Sequence, residues 1–142
     1  MPCFLLIGGE DFDAISFLNE TKLENAIVKL KGEVINPRKG LSKISTVGVN
    51  ITEIGFDDLS GQIKDTIAYL EKHQEQFSII KKTKGISFAS LNFGLTLDIK
   101  LFNEKQNKSF FWPVELLKLV GDLGITIELR LYAPPSDTVV VG

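Results

Sequence analysis

The chain has 142 residues, 44% of them hydrophobic and 24% charged, with a formal net charge of −2. That composition is globular and sized for one domain, and its mildly acidic balance speaks against a dedicated nucleic-acid binder, whose domain would ordinarily be basic. One cysteine and one histidine exclude an internal disulfide and a Cys/His zinc centre, and no apolar run approaches the roughly 20 residues of a membrane helix.

Cys3–Ile7 reads as a first strand, stopped by Gly8-Gly9. Asp13 then caps a short helix, with Phe12 and Phe17 at the spacing of a hydrophobic staple and Ile15, Leu18 and Leu23 toward the core. Ala26–Leu30 alternates as a second strand. Lys31–Ser45 holds Gly32, Asn36-Pro37 and Gly40, which predicts a long connection or an irregular hairpin. Val47, Val49 and Ile51 give a third strand one apolar face. The longest helix opens at Asp57 or Asp58 and keeps Leu59, Ile63, Thr66, Ile67 and Leu70 on one side, with a break near His73–Glu75 before Phe77. Ile86–Phe102 is too long for one plain strand, so a bulge or bend is expected at Asn92 to Gly94. Trp112-Pro113 opens a last helix, Pro113 at its first position, with Leu116, Leu117, Leu119, Val120 and Leu123 buried and Gly124 as its stop. Ile125, Ile127, Leu129 and Leu131 alternate with Thr126, Glu128, Arg130 and Tyr132 in the final strand, which Pro134-Pro135 ends.

Strands with one apolar face, mixed with amphipathic helices, predict an α+β fold. The expected form is a single, largely antiparallel sheet with helices on one face: a ferredoxin-like β-α-β-β-α-β core extended by a C-terminal α-β unit. Residues 1–135 make that single domain and 136–142 a tail. The outward faces of Leu95–Phe102 and Ile125–Tyr132 carry the same charge order, with Asp98 and Lys100 on one strand and Glu128 and Arg130 on the other. A helix joins these strands, so they run parallel, and direct pairing in that register would set like charges opposite one another. Another strand is therefore expected between them.

Four motifs together resemble a family of uncharacterised bacterial domains, domain of unknown function 4279. They are Gly9-Glu10-Asp11-Phe12-Asp13; Lys31-Gly32-Glu33 ahead of a Gly-containing loop; Asp58-Leu59 with Ile63 and Leu70; and Leu119-Val120-Gly121-Asp122-Leu123-Gly124 leading to Leu131-Tyr132. The resemblance spans most of residues 3–133. It implies a fold and a bacterial cytoplasmic setting, and no activity. The absence of a signal-peptide pattern at the start gives the same cytoplasmic expectation.

Glu10, Asp11 and Asp13, with Asp57-Asp58 on a second strand-to-helix turn, are the densest acids. Hard cations want such oxygens, but no calcium-type spacing is present, so Asp13, Asp57 and Asp58 are read as structural helix caps and no metal is expected. Cys3 and His73 read as a packed thiol and a solvated imidazole, which leaves no catalytic residue to name. Gly8-Gly9 lies where a phosphate could sit, yet Glu10 and Asp11 would repel it. Lys81, Lys82 and Lys84 read as a solvated helix end, and no cofactor is expected.

What remains is a non-enzymatic protein-binding module, of which a toxin-neutralising, immunity-type protein is one concrete version. The alternatives are a small-ligand binder beside Lys31–Ser45, with Arg38 and Lys39 meeting an anion, or a small enzyme with its acids among Glu10, Asp11, Asp13 and Asp58. The expected working surface is the outer sheet face at Phe102, Arg130 and Tyr132. Its partner would be another protein or a second copy of the chain, and neither nucleic acid nor membrane.

Overall fold

The computed structural model describes residues 2–97, 104 and 109–133. The elements run β1 (Cys3–Gly9), α1 (Ala14–Thr21), β2 (Ile27–Lys29), β3 (Val34–Asn36), β4 (Gly40–Leu41) and β5 (Ser45–Thr52) in the first part of the chain. Then come α2 (Leu59–Lys72), α3 (Gln74–Phe77), a 3-10 turn at Ile80–Lys82, β6 (Phe88–Thr96), α4 (Val114–Leu123) and β7 (Thr126–Tyr132). The fold is α+β. Five strands form a mixed sheet in the order β2-β5-β1-β6-β7, while β3 and β4 pair only with each other. β1 runs antiparallel to both β5 and β6, β2 antiparallel to β5, and β6 parallel to β7.

A single, largely antiparallel sheet was the expectation, and two features correct it. α4 carries the chain back before β7 begins, so β7 must run in the same sense as β6 and the sheet is mixed. The stretch between β2 and β5 closes on itself as a second, two-stranded sheet. Its chemistry explains this: Asn36 Oδ1 accepts the N–H groups of Arg38 at 2.9 Å and Lys39 at 2.7 Å, and Gly40 supplies the left-handed turn at φ +75°.

Strand side chains alternate, and one set is buried: Cys3, Leu5 and Ile7 on β1, Val47 and Val49 on β5, and Ala89, Leu91, Phe93 and Leu95 on β6. The helices cover that set with Phe17 of α1, Ile63 and Leu70 of α2, Phe77 of α3, and Leu116, Val120 and Leu123 of α4. In α1 the Phe12 and Phe17 rings meet edge to face at 5.5 Å, which closes the staple over the helix start. Ile15 points away and is half exposed, so Ala14 and Phe17 fill the core in its place. Leu117 is likewise exposed, because Leu116, Val120 and Leu123 already form the buried line of α4. Pro113 stands as the N-cap with ψ 144°, one position ahead of the first helical residue. α2 ends at His73, and α3 follows after this break.

No strand separates β6 from β7. They pair directly, with Asn92 opposite Glu128, Gly94 opposite Arg130 and Thr96 opposite Tyr132. Register, rather than an intervening strand, removes the like-charge conflict: β7 lies against an earlier stretch of β6, so its charged residues meet an amide and a glycine. Nor is there a bulge at Asn92 to Gly94, since the β1–β6 register runs unbroken from Cys3↔Phe93 to Gly8↔Phe88. The irregularity falls instead between Cys3 and Phe4 where β1 meets β5.

Candidate functional site

The alternate set of strand side chains lies on the face that these helices leave bare. Three glycines on it are roofed by aromatic rings. The Phe4 ring occupies the place where a side chain on Gly48 would stand. A Cβ on Gly8 would lie 2.7 Å from Phe88 Cζ, and one on Gly94 would lie 2.8 Å from Phe56 and 3.1 Å from Tyr132. Phe56 and Tyr132 meet edge to face at 5.4 Å. Rings that fill the space over strand glycines cover the sheet's backbone on this face.

Between these rings lies a groove of about 380 Å³, lined by Phe4, Ile27, Lys29, Asn92, Phe93, Gly94, Arg130 and Tyr132. Arg130 Nε donates to Glu128 Oε1 at 3.3 Å, and this bond holds the guanidinium charge more firmly than usual. Arg130 and Tyr132 therefore share this groove, whereas Phe102, with Asp98 and Lys100, lies outside the described residues. The groove's other contributors, Phe4, Ile27, Lys29 and Asn92, escape a sequence reading. Their period-two alternation shows which way they point, but only the strand order brings β2 and β7 residues to one groove.

The acids separate into distinct tasks. Asp13 caps α1: Oδ1 accepts from Ser16 N–H and Oδ2 from the Ser16 hydroxyl, each at 3.0 Å, and these bonds hold its carboxyl below the ordinary carboxylate range. Asp58 caps α2 by accepting Gly61 N–H at 2.8 Å. Asp57 stands one residue before that cap, so the capping expected of Asp57 falls to Asp58. Glu10 approaches Lys31 at 3.9 Å on the exposed surface. Among the described residues no three acids, histidines or cysteines gather to hold a metal ion. A second, larger cleft of about 600 Å³ lies between α2 and the start of α4, with Asp57, Asp58 and Glu115 among its lining residues.

Cys3 and His73 are engaged with different neighbours. The Cys3 thiol lies 3.3 Å from Thr66 Oγ1, and burial pushes its pKa up to about 11. The Thr66 hydroxyl itself donates to the Gln62 carbonyl at 2.7 Å. The His73 ring packs at a tilt against Tyr69, the centroids 4.4 Å apart, and its Nδ1 meets Gln76 Oε1. Gly8-Gly9 is no phosphate cradle either. A side chain on Gly9 would strike the Gly85 carbonyl, so the pair serves a close crossing of two backbones.

Compared with protein-family models, with curated proteins and with solved structures, the chain matches none. No helix among the described residues is long and apolar enough to cross a membrane.

Proposed function

We propose that this chain is a non-enzymatic protein-binding module that works through the bare face of its sheet. One observation carries the reading: Phe4, Ile27 and Tyr132 line a groove there, with the cations Lys29 and Arg130 among the lining residues. Aromatic and arginine side chains supply most of the energy in protein interfaces. Here the Phe4 and Tyr132 rings are held in place over Gly48 and Gly94, so little rotamer freedom remains to be lost on binding. The antiparallel run β2-β5-β1-β6 supports the finer description of the fold, a ferredoxin-like unit extended by α4 and β7. Membership of the domain of unknown function 4279 family, and a bacterial cytoplasmic setting, belong to the same proposal and rest on the four motifs quoted above. A toxin neutralised by this face is its most specific version.

A photo-crosslinking residue at Lys29 tests the proposal in cells. It should trap one protein of discrete mass, while the same group at Lys72 on α2 traps none. Ile27→Ser combined with Tyr132→Ala should abolish that adduct with the fold retained. Equal trapping at both positions would defeat the reading. So would a metabolite that raises the melting temperature and moves the amide signals of Asn92 and Gly94, because a groove of this volume also suits a small ligand.

A further inference from the structure

β7 ends the sheet, and among the described residues nothing pairs with its outer edge. The Tyr132 carbonyl accepts Leu97 N–H at 2.8 Å, on the β6 side. In a strand the N–H and C=O of one residue point the same way, and successive residues alternate. Thr126, Glu128, Arg130 and Tyr132 therefore bond toward β6, while Ile127, Leu129 and Leu131 turn both main-chain groups outward. Such an edge is ordinarily shielded by proline, a bulge, a covering element or charged side chains, and the charges that β7 carries, Glu128 and Arg130, are of opposite sign. β7 contains no proline, and its register against β6 is continuous.

We propose that β7 pairs antiparallel with β7 of a second copy of this chain, about a two-fold axis at Leu129. The inference uses the strand's main-chain edge, shares Arg130 with the groove, and stands separately from the proposed function. Leu129 then bonds its own counterpart, and Ile127 bonds the partner's Leu131, so every outward main-chain group finds a mate. Glu128 falls opposite the partner's Arg130 in a non-hydrogen-bonded pair, the class that brings side chains closest. Adjacent registers are penalised. Sliding one allowed step in either direction sets Glu128 against Glu128, or Arg130 against Arg130, and like charges directly opposite are unfavourable.

Apolar surface lies beside the same edge. Leu131 is 51% exposed and Leu117 is 47% exposed. Glu115 lines the cleft that α4 shares with α2, and Leu117 sits two residues on, about 200° round the helix. Leu117 is therefore on the flank of α4 away from α2. α4 packs against both α2 and β7, so that flank is the one nearer the outer edge of β7.

Light scattering of the full chain across a concentration series tests this. The wild-type mass should rise from 15.7 kDa toward twice that value. Leu131→Pro removes an N–H that bonds nothing among the described residues, and should hold the mass at the single-chain value with the circular dichroism unchanged. Glu128→Lys and Arg130→Glu should each stay single. Mixed together they should associate, since each then supplies the charge the other lacks, and this rescue also shows that both variants fold. A wild type that stays single throughout, or one whose association ignores Leu131→Pro and both charge changes, overturns the proposal. Ile27→Ser with Lys29→Ser, which alters the groove at the opposite sheet edge, should leave the doubling intact, so the two readings fail independently.

Discussion

The Phe4 ring occupies the space over Gly48 on the neighbouring strand, where any side chain at position 48 would meet its Cζ. Position 48 is also buried beneath that ring. A methyl group there must push the ring off the sheet. Gly48→Ala should therefore lower stability by about 1–3 kcal/mol, the range for overpacking a tight site. Phe4→Leu should recover part of that loss in the double variant, because the two positions share one space. Urea unfolding of the four proteins in the cycle gives the coupling directly, and strictly additive effects would contradict the contact.

Glycines elsewhere in the chain should respond with opposite signs. Gly121 lies inside α4 with nothing within 4 Å of a Cβ placed on it. Gly121→Ala should raise stability by about 1 kcal/mol through helix propensity alone. Gly9 faces the carbonyl of Gly85, a backbone atom that cannot swing aside. Gly9→Ala should cost roughly 3 kcal/mol. Thermal melts of the two variants should shift in opposite directions.

Cys3 gives a pH signature. Its pKa rises from 9.0 to about 11 in the folded chain because burial disfavours the thiolate. The unfolded thiol ionises first, so this contribution is whole below pH 9.0 and is lost as pH rises toward about 11. Stability measured across that range should fall more steeply for wild type than for Cys3→Ala. A thiol reagent at neutral pH should label Cys3 only in step with unfolding.

Local patterns were legible wherever a residue's task is set by its near neighbours. Alternation from Thr126 to Tyr132 marks β7, Asp58 opens α2, and Gly124 with φ +75° closes α4. Features decided across long sequence distances were not. Nothing near Glu128 announces that it faces Asn92, because that choice belongs to the docking of β7 on β6. β6 is described as far as Thr96, and the alternation read from Asp98 to Phe102 lies outside the described residues. The alternation that runs past Leu95 records which side is apolar, and does not say where a partner strand stops. Half of the candidate groove was hidden in the same way. Arg130 and Tyr132 could be read as outward on β7, but Phe4 and Ile27 became their neighbours only through the order β2-β5-β1-β6-β7.

That order also constrains when the sheet can assemble on the ribosome. β1 is the earliest strand to be made and lies in the middle, bonded on one side to β5 and on the other to β6. A nascent chain that has reached β5 can satisfy one side of β1 and must leave the other open until residue 88 and beyond have emerged. Through that interval Leu5 and Ile7 belong to a strand with an unpaired flank, the condition under which chains associate wrongly. Ribosomes stalled within α2 should therefore display a β1 accessible to chaperones, and release of β6 should end that exposure.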